Sequence, residues 1–132
     1  MTVSVVADIT TLVFTELVKQ NKMGRITSVE KDGIKIEFKE GTVLVTRKLV
    51  EDVAREELDK WLAELLDEYL KLSDDPYDTV FAEMPPKIYV TMHDRRIVLT
   101  LCCFEHDFVE DFINELYKYP RRVAKRIVEQ FL

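Results

Sequence analysis

Few side chains in this chain have both the type and the spacing to do chemistry. Glu37-Phe38-Lys39 has the acidic-x-Lys spacing with which restriction-type nucleases hold a divalent ion and polarise water. On a strand its two charges fall on one face. The second carboxylate that such a site requires has no good candidate, because Asp32, the nearest, sits beside Gly33 where a tight turn explains it. Cys102, Cys103, His93 and His106 are the only thiols and imidazoles. Adjacent cysteines on a strand point to opposite faces, so they offer one thiolate to a zinc site that wants four ligands at closed spacing. Both are expected to be reduced thiols in the cytoplasm, since they supply no disulfide framework. The three glycines are taken up by a helix end and two turns, which leaves no phosphate-cradling loop. No catalytic residue, metal ligand or cofactor is therefore assigned, and the sequence leans away from an enzyme; a metal-dependent nuclease is the remote alternative.

Binding chemistry has more support. Arg121, Arg122, Lys125 and Arg126 lie opposite Val123 and Ile127 at helical spacing, and like charges at i and i+4 weaken an isolated helix unless an anion relieves them. The relief could come from within. Basic residues outnumber acidic ones by eight to six over 1–48 and by eight to seven over 85–132, but over 49–84 three face twelve. An acidic helix in that middle third could pair with the basic one, inside the chain or across a subunit contact.

A second basic group gathers around Arg25, Lys31, Lys35, Lys39, Arg47 and Lys48, and Tyr89 and His93 share a face of a strand that could join the same sheet. Amines tracking phosphates, with rings stacking on bases, are how a sheet holds single-stranded nucleic acid. Lys on an open strand also guards an edge against aggregation. The candidate nucleic-acid-binding set is Arg25, Lys35, Lys39, Tyr89, His93, Arg121, Arg122 and Lys125.

The elements that must position these groups follow from periodicity. Asp8 caps an amphipathic helix with Ile9, Leu12, Val13, Leu17 and Val18 inward, and Gly24 stops it. Three strands follow: Arg25 to Lys31, then Ile34-Ile36-Phe38 alternating with Lys35-Glu37-Lys39, then Val43 to Thr46, with Asp32-Gly33 suited to a tight hairpin. Helical spacing returns from about Lys48 to Leu72, where Leu58, Leu62, Leu65, Tyr69 and Leu72 form a seam that packs on the sheet or in a dimer. Ser73 to Pro86 connects, with a turn over Tyr77 to Phe81. A second hairpin joins the strand carrying Ile88, Val90 and Met92 to a central strand, Arg96 to Phe104, that is apolar on both faces. Asp107 opens a helix that Pro120 breaks, and another helix follows.

The expected fold is one α+β domain over 1–132, in the order α-βββ-α-ββ-αα, with helices on one face of antiparallel hairpins. At 132 residues and 47% apolar composition one core is affordable. No apolar run approaches the roughly 18 residues of a membrane span. Charged residues reach 33% while Asn and Gln occur twice each, a thermophile-like balance. The leading expectation is a non-enzymatic single-stranded DNA- or RNA-binding module acting as a homo-oligomer, cytoplasmic and with no membrane partner. The alternative is a protein-interaction or structural protein, cellular or viral, with no nucleic-acid ligand.

Overall fold

A computed structural model describes residues 2–30, 32–72, 87–102 and 106–132, and their side chains except at 65–72, 87, 102 and 106–112. The elements are β1 (Thr2–Asp8), α1 (Ile9–Lys19), β2 (Gly24–Glu30), β3 (Gly33–Phe38), β4 (Gly41–Thr46), α2 (Arg47–Leu72), β5 (Lys87–His93), β6 (Arg96–Cys102) and α3 (His106–Phe131). The α+β order read from the sequence stands, preceded by a strand that the local pattern did not announce. β1 pairs antiparallel with β6 from Thr2↔Cys102 to Asp8↔Arg96, and β5 takes the other edge of β6. The result is two three-stranded sheets, β1-β6-β5 and β2-β3-β4. β6 is central, as its composition requires, with Ile97, Leu99 and Leu101 buried and Val98 and Thr100 half-buried.

Local chemistry sets the boundaries. One Asp8 carboxylate oxygen accepts from the backbone N–H groups of Thr10 and Thr11, occupying donors that a helix start leaves open. α1 ends earlier than the sequence suggested. Asn21 takes a left-handed φ of 58°, and the N–H groups of Asn21 and Lys22 donate to Val18 and Leu17, so Asn21 rather than Gly24 closes the helix. Gly24 opens β2 instead. Gly33 is the first residue of β3, facing Glu30, and a Cβ there would lie 2.4 Å from the Val45 carbonyl oxygen. The glycine is needed for the close approach of β4 rather than for the centre of the turn.

Pro120 lies inside one continuous helix, where two successive helices were expected. A proline costs the helix an internal hydrogen bond. Here Leu116, Tyr119, Val123 and Ile127 on either side are all buried, and burial at roughly 2 kcal/mol per large side chain outweighs one bond.

Buried residues from both sheets and all three helices form one cluster, including Val5, Leu17, Ile36, Trp61, Leu99 and Ile127. α2 contributes Val50, Val53, Ala54, Glu57 and Trp61, so its first half packs within its own chain. Leu65, Tyr69 and Leu72, the turn expected over Tyr77 to Phe81, and the side chains of Cys102, Cys103 and His106 lie outside the described residues. Each sheet has its helices on one side, leaving Ser4, Val6, Tyr89 and Thr91 of one sheet and Arg25, Lys35, Glu37 and Leu44 of the other exposed. No described helix is long and apolar enough to cross a membrane.

Candidate binding surface

α2 and α3 run antiparallel, with Glu64 opposite Arg122 and Glu56 opposite Arg126. Arg122 places both terminal nitrogens on the Glu64 carboxylate and its Nε 3.3 Å from Glu57. Arg126 meets Glu56 and lies 3.7 Å from Glu57. Glu57 is only 7% exposed, an anion held between two guanidiniums. The Arg122 hydrogen bonds hold the Glu64 carboxyl below the usual carboxylate range, and Glu64 in turn raises the Arg122 guanidinium. Beneath them the Tyr119 hydroxyl donates to the Ala54 carbonyl, with its ring 5.5 Å from that of Trp61. Burial, and then the charges of Glu57 and Asp59, push this phenol well above its ordinary pKa. Lys125 is 3.9 Å from Glu129 on its own helix, and Arg121 is exposed. The like-charge strain between Arg122 and Arg126 is thus relieved inside the chain, by the acidic helix.

Two of the meander's cations, Arg25 and Lys35, are also accompanied. Arg25 lies 3.5 Å from Glu37 and Lys35 lies 3.3 Å from Glu30, all four at least partly exposed. Lys39 falls in the turn beyond the end of β3, so Glu37 and Lys39 do not share a strand face as the nuclease reading required. Among the described residues no group of three His, Cys, Asp or Glu side chains could hold a metal ion. Exposed pairs of this kind are individually weak, at roughly 0–1 kcal/mol. Their consequence is electrostatic: each cation brings a carboxylate that repels the phosphate it would attract.

Tyr89 and His93 belong to β1-β6-β5, not to the meander. The eight residues expected to act together therefore divide among three places: Arg25, Lys35 and Lys39 on or beside one sheet, Tyr89 and His93 on the other, and Arg121, Arg122 and Lys125 on α3.

What the second sheet does assemble is an uncovered face. Strand register sets its rows as Ser4-Thr100-Tyr89, Val6-Val98-Thr91 and Asp8-Arg96-His93. The Ser4 and Thr100 hydroxyls are 3.1 Å apart, Tyr89 is 49% exposed and Val6 57%. The centre of this face is uncharged, aromatic and aliphatic. Among the side chains described, its charges sit at the hairpin end, where Arg95 Nε reaches Asp8 at 2.9 Å. Beside that end a cleft of about 420 Å³ is lined by Val29, Glu30, Asp94, Arg95 and Arg96, with two charges of each sign. Such balance gives no net pull on an anion.

Ser4, Val6 and Arg96 were absent from the residues picked out by sequence. The signal was the alternation of Thr2-Val3-Ser4-Val5, which was left unassigned ahead of the helix that Asp8 caps. Comparison with known proteins finds no matching family model, no similar curated protein and no similar solved structure.

Proposed function

We propose that this chain is a cytoplasmic, non-enzymatic binding module that docks another protein on the outer face of β1-β6-β5. The observation that carries the reading is the distribution of partners. The strongest cation cluster, Arg122 with Arg126, is engaged by Glu56, Glu57 and Glu64 of the same chain, whereas Tyr89, Val6, Thr91 and Ser4 stay uncovered. An aromatic and aliphatic centre with an Arg-bearing polar rim is the anatomy of a protein interface. The partner that fits is an uncharged apolar surface with an acidic group placed to meet Arg96.

A second reading, a single-stranded DNA or RNA ligand, is favoured by one feature of the same face. Tyr89 and His93 sit four residues apart on its exposed side, with Thr91 between them, and Arg96 lies directly opposite His93, so rings could stack bases beside a cation. One experiment separates the two. A photo-crosslinking phenylalanine analogue at Thr91, activated in the native cytoplasm, should give a discrete protein adduct that Val6→Glu abolishes. A nuclease-sensitive adduct overturns the protein reading in favour of nucleic acid. An adduct pattern indifferent to Val6→Glu removes this face from either role.

A further inference from the structure

α1 has an apolar side and an uncharged side. Ile9, Val13 and Leu17 are buried in the core, while Thr11, Phe14, Thr15 and Val18 form a second stripe at i, i+3, i+4 and i+7 that faces outward. Phe14 is 49% exposed and Val18 62%. The only charged residues of α1 are Glu16, which is buried, and Lys19, so nothing charged interrupts the stripe between Asp8 and Lys19. Phe14 and Val18, one turn apart, thus form an apolar ridge between two threonines on an uncharged face.

α3 borders this stripe, because Lys22 Nζ at the end of α1 donates to the Val128 carbonyl.

We propose that a second copy of this chain covers the stripe, with two α1 helices antiparallel across a two-fold axis near Phe14 and Thr15. The stripe is complementary to itself in that orientation. Its uncharged middles meet, the helix dipoles oppose, and the Lys19 end of each helix lies over the Asp8 end of the other. A partner bearing charge would lose its hydration against Phe14 and Val18 with nothing to pair it.

Size sets the strength. Taking about 150–250 Å² for an aromatic side chain and less for Val, the exposed parts of Phe14 and Val18 offer roughly 200 Å² of apolar surface per copy. A standard interface takes about 800 Å² per partner. The dimer is accordingly weak and reversible, and it forms as concentration rises through the micromolar range.

Sedimentation velocity from about 5 to 500 μM tests this, with near-UV circular dichroism to check folding. The wild-type mass should climb from monomer toward dimer. Phe14→Glu with Val18→Glu should remain monomeric, while Leu44→Glu, at an equally exposed apolar site on the meander, should dimerise as the wild type does. Thr15→Cys should form an oxidised, covalent dimer that the wild type does not, an outcome that does not depend on the acidic variants folding. A wild-type chain monomeric throughout, a dimer untouched by the paired acidic substitutions, or a Thr15→Cys chain that fails to cross-link overturns the proposal. Val6→Glu should leave this dimer intact, which separates it from the reading of the β1-β6-β5 face.

Discussion

Removing the Glu57 carboxylate should be the most costly single change on the α2–α3 contact. Its oxygens lie 3.3 Å from Arg122 and 3.7 Å from Arg126, whose side chains are 28% and 15% exposed. Taking one partner from a buried ion pair costs about 3–5 kcal/mol, because the remaining charge stays desolvated. In Glu57→Ala each guanidinium keeps one carboxylate, Glu64 or Glu56, which puts the loss near the lower bound, about 3 kcal/mol. Glu64→Ala removes a largely exposed partner and should cost no more than about 1 kcal/mol, despite its two short contacts with Arg122. At roughly 3–4 °C per kcal/mol for a chain of this size, the expected losses of Tm are about 10 °C and at most about 4 °C. Thermal unfolding by circular dichroism at neutral pH would measure both. Repeating it near 1 M salt should erase the Glu64→Ala effect and largely spare that of Glu57→Ala, since screening acts on exposed pairs. If Glu57→Ala costs no more than Glu64→Ala, the buried carboxylate does not carry the contact and the reasoning fails.

The same contact makes further predictions. Replacing Glu56, Glu57 and Glu64 together with Gln should uncover Arg122 and Arg126 and give the folded chain a salt-dependent affinity for labelled oligonucleotide that exceeds the wild type's; equal binding would show that internal pairing is not what limits it. Tyr119→Phe should cost about 1 kcal/mol through the lost donation to Ala54. Because burial raises the folded Tyr119 pKa above its unfolded value, the neutral phenol is favoured in the fold; that stability is fully present below about pH 10 and is lost as pH rises further. Urea midpoints taken from pH 9 to 11 should fall less steeply for Tyr119→Phe than for the wild type, and parallel curves would refute the assignment. Gly33→Ala should destabilise by about 2 kcal/mol or more, because its Cβ would meet the Val45 backbone oxygen, and an unchanged urea midpoint would show that β4 can move aside.

The parts of the fold legible in sequence are those with local causes. The meander shows as Ile34-Ile36 alternating with Lys35-Glu37, α2 as helical spacing after Arg47, and the central position of β6 as apolar residues on both faces. β1 escaped notice because its pairing with β6 joins residues 88 to 100 positions apart, and no window along the chain contains both. Asp8 was read as a helix cap, which it is; its bond to Arg95 depends on the β5–β6 hairpin arriving beside it. Pro120 was read as a break because local propensity forbids it, and burial of its neighbours overrides that propensity.

Charge sign and its segregation were determined by sequence alone: twelve acidic residues in the middle third, a basic stripe on the last helix, and no spacing suited to a metal or a phosphate loop. Tertiary structure alone decided who neutralises whom. The antiparallel docking of α2 on α3 sets Glu57 between Arg122 and Arg126, and the division into two sheets separates Tyr89 and His93 from Arg25 and Lys35. Charge belongs to the residue type, whereas pairing depends on distance, and distances between remote residues exist only once the core has closed.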